Sequence, residues 1–443
     1  MRIQLSDHFT YPRLLRFVLP SVLMILCTSI YSIVDGFFIA NFVGKTPFAA
    51  INLVMPVLMG VATIGFMIGT GGSAIVSKTL GEGKTNLANQ YFTLLVCFAF
   101  LLGVVVSALG FIFAEQLSAL LGADGVLFED CVLYARILFI AAPFFVLQFV
   151  FQSFFIVAEK PELSLKVNLI AGITNAILDY VLILVIPLGL TGAAIATAIG
   201  QIVGAVIPVL YFARKNDSLL CFRRTPFYGN ILGHVCVNGS SEMVTNLSTS
   251  IINILYNFHL MNLAGENGIA AYGVIIYVNI VFMAIFLGYS LGSAPIVSYH
   301  YGAENTNELK SLFQKSIVIL IITDVLLVTV SELVAKPLVG IFTSYDIELF
   351  EMTTRGFQLY ALSFLIMGFN VWGSAFFTAL NNGVVSAMIS FLRTFVFQVA
   401  VVSILPKFWG LDGIWLSIAV AELLAFVVTT SFVIAKRKHY QYV

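Results

Sequence analysis

The chain has 443 residues, of which 60% are hydrophobic and 10% charged, with Lys plus Arg (22) balancing Asp plus Glu (22). Soluble domains carry about 25% charged residues, so so much apolar surface excludes an ordinary water-soluble core. A net charge of zero without a large basic block gives no sign of a nucleic-acid surface.

Long uncharged runs recur from end to end and predict an all-α integral membrane protein. Met1 to Arg16 is short and polar, with Arg2, Arg13 and Arg16 ahead of the first apolar run. That run continues through Pro20 to Phe42 and lacks the short core and small-x-small site of a cleavable signal, so it reads as a retained first span. Twelve spans are expected, near 16–42, 48–76, 87–113, 130–157, 163–186, 191–213, 231–262, 269–299, 309–332, 353–379, 384–405 and 412–435. With the N-terminus inside, the inner loops gather Arg13, Arg16, Lys84, Lys160, Arg214, Lys215, Arg223, Arg224, Lys310 and Lys436 to Lys438, against Lys45, Lys336 and Lys407 outside. Both termini are therefore expected on the cytoplasmic side of a cell (inner) membrane.

Pro20 removes one backbone hydrogen bond in mid-span and gives the first helix a place to hinge, on the same helix as Asp35. The fifth span places Asp179 inside an apolar run with Asn175 one turn before it, both on one helical face. A carboxylate at that depth costs about 3 kcal/mol on insertion scales and by default faces a wet cavity that handles an ion or substrate. In the sixth span Thr197 lies in the small-residue stretch Gly192-Ala193-Ala194-Ile195-Ala196-Thr197, followed by Gly200 and Gly204, which lets that helix approach its neighbours closely.

Sliding the chain against itself by about 221 residues places Gly44 on Gly265, Gly71 on Gly292, Ile75-Val76-Ser77 on Ile296-Val297-Ser298, Gly81 on Gly302 and Gly189 on Gly410. Two six-helix lobes related by a pseudo-two-fold are expected, the first over 1–213 and the second over 230–443, joined by a cytoplasmic linker at 214–229. At the same offset Asp35 falls on Tyr256, Asn175 on Val396, Asp179 on Ala400 and Thr197 on Ile418, so this polar set belongs to the first lobe alone. Two carboxylates, an amide and a hydroxyl supply oxygen donors suited to a small hard cation or to a shared proton.

The full length resembles a multidrug and toxic compound extrusion (MATE) transporter, on the spacing of Pro20 and Asp35, on Asn175-Ala176-Ile177-Leu178-Asp179, on Gly192 to Thr197 and on Gly239-Ser240-Ser241-Glu242. The resemblance implies drug/cation antiport and, in the branch with its cation site in the N-terminal lobe, a site built from Asp35, Asn175, Asp179 and Thr197, which would hold Na⁺ if sodium is the coupling ion. Tyr180 follows the Asp where that family commonly has Pro, and 368–372 lacks the carboxylate of another branch. Expected function is antiport of amphipathic or cationic organic compounds against H⁺ or Na⁺ by alternating access, with no cofactor besides the ion and a monomer sufficient.

Candidate substrate contacts are Glu242, Tyr31, Met55, Met59, Phe149 and Met283, since thioethers and aromatic faces accept many shapes. Asp324, Arg393 and Glu422 lie deep in the second lobe, where mutual pairing would answer their burial. The five cysteines lack metal or redox spacing, and His234, His259 and His300 suggest no metal site. A lipid-linked oligosaccharide or lipid flippase of the same superfamily is the alternative, and would need a strongly cationic cavity. No enzyme is expected, there being no HExxH or GxSxG and no Cys/His arrangement.

Overall fold

The computed structural model describes residues 3–343 and 346–443, apart from the side chains at 32–37, 40, 41 and 45. In the first half follow α1 (Tyr11–Phe42), α2 (Lys45–Gly81), α3 (Thr85–Ile112), α4 (Ala114–Leu120), α5 (Gly125–Val157), α6 (Pro161–Asp179, extended by a π-helical turn at Tyr180–Val185) and α7 (Gly189–Ala213). A non-helical segment at 214–228 leads to the second half. There lie α8 (Gly229–Gly302), α9 (Thr306–Thr343), α10 (Ile347–Ala361), α11 (Phe364–Ala379), α12 (Gly383–Phe391, extended by a π-helical turn at Leu392–Val396), α13 (Phe397–Ile404) and α14 (Pro406–Tyr440).

Ten helices among the described residues are long and apolar enough to cross a bilayer, and the pair α10 and α11, bent by 49°, makes an eleventh span. Gly265 (φ 59°, ψ −146°) breaks the 74-residue α8 into two legs, which brings the spans to the twelve expected. The first helix begins at Tyr11, five residues before the expected start, and the last span includes a break at Gly410.

The internal repeat is written in the backbone. Gly44 and Gly265 both have positive φ, as do Gly189 and Gly410, and Gly83 and Glu304, each pair separated by the same offset. These are the turns between spans, where a left-handed residue reverses the chain.

Within the first half α5 is the central helix, buried along most of its length. Glycines on its neighbours let it in: a Cβ on Gly65 of α2 would lie 2.6 Å from Val146 O, and one on Gly103 of α3 2.6 Å from Pro143 Cα.

The two halves meet through α2 and the legs of α8 with their backbones almost touching. A Cβ on Gly81 would sit 2.0 Å from Tyr299 O, and one on the repeat-equivalent Gly302 would sit 2.1 Å from Lys78 O. Lys78 is itself the equivalent of Tyr299, so the pseudo-two-fold axis passes through this contact. Gly71 meets Val235 O, Gly239 meets Met67 O, and Gly288 meets the Val22 backbone in the same manner. All of these approaches lie in the half of the bundle nearer the chain termini. The Lys78 ammonium also stands 5.3 Å from the Tyr301 ring centroid across the lobes.

The polar N-terminal segment is a structural part of that closed end. Leu5 and Phe9 are fully buried. Leu5 N donates to Glu159 Oε1 (2.8 Å) at the end of α5, while Phe9 N donates to Glu308 Oε1 (2.8 Å) at the start of α9. His8 Nδ1 lies 2.6 Å from Glu308 Oε2, and Lys315 Nζ donates to Phe9 O. The segment thus straps the first half to the second.

Candidate functional site

α6 has two faces. Ile170, Ile173, Ile177 and Tyr180 point outward, whereas Ser164, Asn168, Asn175 and Asp179 are buried along the opposite stripe. Spacings of three, four and seven residues keep such a stripe on one side of a helix, and here it faces α1 and α7.

Its lower part grips α1. Asn168 Nδ2 donates to Met24 O (3.1 Å) and to Thr28 Oγ1 (2.6 Å), and Thr28 Oγ1 donates onward to Met24 O (2.9 Å). Ser164 Oγ lies 3.1 Å from Met24 Sδ. Met24 is one turn beyond Pro20, which lies inside α1 and leaves the carbonyl four residues before it without its helical donor. Pro20 and the residues that α6 holds thus lie on consecutive turns of α1.

The upper part meets α7. Asn175 Nδ2 donates to Thr197 Oγ1 (3.5 Å), and the helices come this close because Gly200 faces Asn175, where a Cβ would lie 3.1 Å from Asn175 Cβ. Gly192 plays the same part against Leu182, a Cβ there lying 2.8 Å from Leu182 O. Asp179 is 0% exposed and is the last residue before the π-helical turn. Such widened turns often mark functional positions in helices.

Between α1, α2, α5, α6 and α7 lies a cavity of about 70 Å³ bordered by Tyr31, Met55, Met59, Asn175 and Thr197. A water needs about 10–15 Å³ of such space, so the cavity has room for a few waters. Tyr31 crosses it against Gly172, where a Cβ would lie 3.0 Å from Tyr31 Cδ1. Three more polar residues complete the wall: Tyr134 and Gln148 from α5, and Gln201 from α7. The sequence reading missed them, although each interrupts an apolar span as Asn175 does. Gln201 Oε1 is buried without a hydrogen-bond partner.

The structure gathers Tyr31, Met55, Met59, Asn175 and Thr197 at one cavity, with Asp179 buried one turn beyond Asn175. Asp35 lies within α1, but its side chain is outside the described residues. Among the described residues no group of three or more His, Cys, Asp or Glu side chains converges as a metal site. Phe149 sits behind the cavity, 4.3 Å between ring centroids from Phe66 and 5.1 Å from Phe145. Met283 packs into the second-half core. Glu242 stands thirteen residues into α8, about 20 Å along its axis, well inside the bundle and apart from the cavity.

Of the three charged residues deep in the second half, Arg393 and Glu422 pair, with Nε 2.8 Å from Oε1. Asp324 forms no ion pair among the described residues.

A family model described as MatE matches residues 20–181 and again 243–404. The multidrug export protein MepA of Staphylococcus saprophyticus is 25% identical over 418 residues, covering 93% of this chain and 90% of that protein. MepA of Staphylococcus aureus is 24% identical over 416 residues, covering 94% and 91%. Among solved structures, MATE in complex with MaL6 has a TM-score of 0.93 at 21% identity, covering 98% of both chains. An outward-facing multidrug resistance MATE family transporter of the MOP superfamily gives 0.92 at 21%, again covering 98% of both. At these identities the likeness to the solved structures is one of fold.

Proposed function

Because this chain belongs to the MatE family, we propose that it is a secondary active multidrug efflux transporter, exchanging amphipathic or cationic organic compounds for H⁺ or Na⁺ by alternating access. The drug-export name of its MepA relatives supports the class of substrate. What carries the coupling reading is the polar stripe of α6, which reaches both the hinge region of α1 and the cavity wall of α7.

In this reading the lobes are 1–213 and 230–443, linked by 214–229, and both termini are cytoplasmic in a cell membrane. The closed, strapped end is then the cytoplasmic one, and the conformation is open to the outside. An entering cation is held by Asp179, Asn175 and Thr197, with Asp35 from α1; α1 then shifts about Pro20, and the drug space above it shrinks. Glu242, Met283 and Phe149 serve as contacts for cationic or apolar drugs on the way. An inward monovalent cation gains about 2.3 kcal/mol per 100 mV, which corresponds to a roughly fifty-fold gradient.

The flippase alternative is weaker. A lipid-linked pyrophosphate needs fixed cations, and no Lys or Arg among the described residues borders the cavity. The experiment is dye export from vesicles of the full-length protein under an imposed H⁺ gradient, a Na⁺ gradient, or neither. Export driven by one of the gradients is expected; export indifferent to both would remove the antiport reading.

A further inference from the structure

The second lobe holds a charged cluster unlike that of the first. Asp324 lies at mid-length of α9 and is 2% exposed, while Arg393 in the π-helical turn after α12 and Glu422 in α14 are buried beside it. Glu422 is fully engaged: Arg393 Nε donates to both its oxygens (2.8 and 3.0 Å), and Asn370 Nδ2 donates to Oε2 (2.7 Å) and to the Glu422 backbone oxygen (2.9 Å). Asp324 is left over. Its Oδ1 is buried without a hydrogen-bond partner, pressed against bare Gly368, where a Cβ would lie 2.3 Å away.

Every charged neighbour makes the shortage of positive charge worse or leaves it unchanged. Glu422 on α14 acts on Asp324 through space. Arg393 is committed to Glu422, and Glu242 on α8 also lies in the Arg393 field. Tyr360 on α10 is neutral, and α11 offers Asn370 and the Gly368 backbone beside Asp324, dipoles without a full charge, and among the described residues nothing that ionises. A second carboxylate without a counter-ion in such surroundings neutralises instead of remaining charged, and with Glu422 already saturated there are too few free oxygens for a metal ion.

The position of the cluster adds to this. At the repeat offset Glu422 corresponds to Gln201 and Arg393 to Gly172, both at the first-lobe cavity. The ion pair thus fills the place that the cavity occupies in the other lobe.

We propose that Asp324 is a proton-binding site of the second lobe, separate from the cation pocket of the first, and that the Arg393–Glu422 pair keeps it loaded by withholding the one cation near it among the described residues. Its contribution to transport rests on the efflux reading; its protonation does not. The test is infrared spectroscopy of the full-length protein in lipid vesicles at neutral pH, following the carbonyl stretch of protonated carboxylic acids. The wild-type spectrum should contain a component that is lost in Asp324→Asn, kept in Asp179→Asn and shifted in Asp324→Glu. Glu422→Gln frees Arg393 for Asp324, so the same component should vanish there too. A spectrum unchanged by Asp324→Asn, or an Asp324 component that survives Glu422→Gln, overturns the proposal. Thermal melting of each variant shows that it is folded, and a failure of gradient-driven export would leave the spectral result as it stands.

Discussion

Asp179, Asn175 and Thr197 stand out in the sequence as polar groups inside apolar spans, which calls for a protein-covered or wet setting. The chain is fully closed around Asp179, and Asn175 and Thr197 face each other across α6 and α7. Tyr134, Gln148 and Gln201 interrupt apolar spans as Asn175 does, but nothing in the sequence brings them to the same cavity; their packing does. Which of the many Met and Phe side chains border the cavity was likewise hidden, because periodicity assigns a face and not a partner; Met55 and Met59 do so, and Phe149 and Met283 stack elsewhere. At this scale Asn175→Ala should remove one oxygen donor and the bond to Thr197. A hydrogen bond contributes about 1 kcal/mol net, so the half-saturating concentration of the coupling cation should rise roughly fivefold, read from the cation dependence of dye export.

At the scale of the helices, α1 is the element whose behaviour matters most. Pro20 was visible as a hinge candidate, but the grip of Asn168 on Met24 O and Thr28, one and two turns further on, needed the three-dimensional neighbour. Pro20→Ala restores the missing amide donor and favours a straight helix; export should fall about tenfold while thermal stability holds or rises, which melting and vesicle assays report together. Asn168→Ala does the opposite, leaving α1 loosely held, at a cost of about 1–3 kcal/mol visible as a lower melting temperature. The bend between α10 and α11 lies at Leu362-Ser363, without the Pro or Gly that would have announced it. Similarly, the N-terminal strap looks in the sequence like a polar lead-in, because Gln4, Ser6, Asp7, His8 and Thr10 conceal that Leu5 and Phe9 are buried.

For the molecule as a whole, the duplication was the most legible feature: matched glycines recur as matched positive-φ turns at Gly44 and Gly265 and at Gly189 and Gly410. What the duplication could not tell was where the lobes touch, and the near-contact of Gly81 and Gly302 with the opposite backbones supplies that. Overpacking a tight contact costs about 1–3 kcal/mol, enough to move a two-state equilibrium about tenfold. Gly81→Leu should therefore loosen the strapped end, seen as longer distances between spin labels placed on the two lobes near the termini. Unchanged distances would mean that this contact does not hold the observed conformation. If the buried first-lobe oxygens join cation movement to drug movement, linkage requires the coupling to run in both directions. The most direct measurement imposes a drug gradient across vesicles and follows the counter-movement of H⁺ or Na⁺: the wild-type chain should drive the cation and Asp179→Asn should not, whereas an undiminished cation flux in Asp179→Asn would contradict the account.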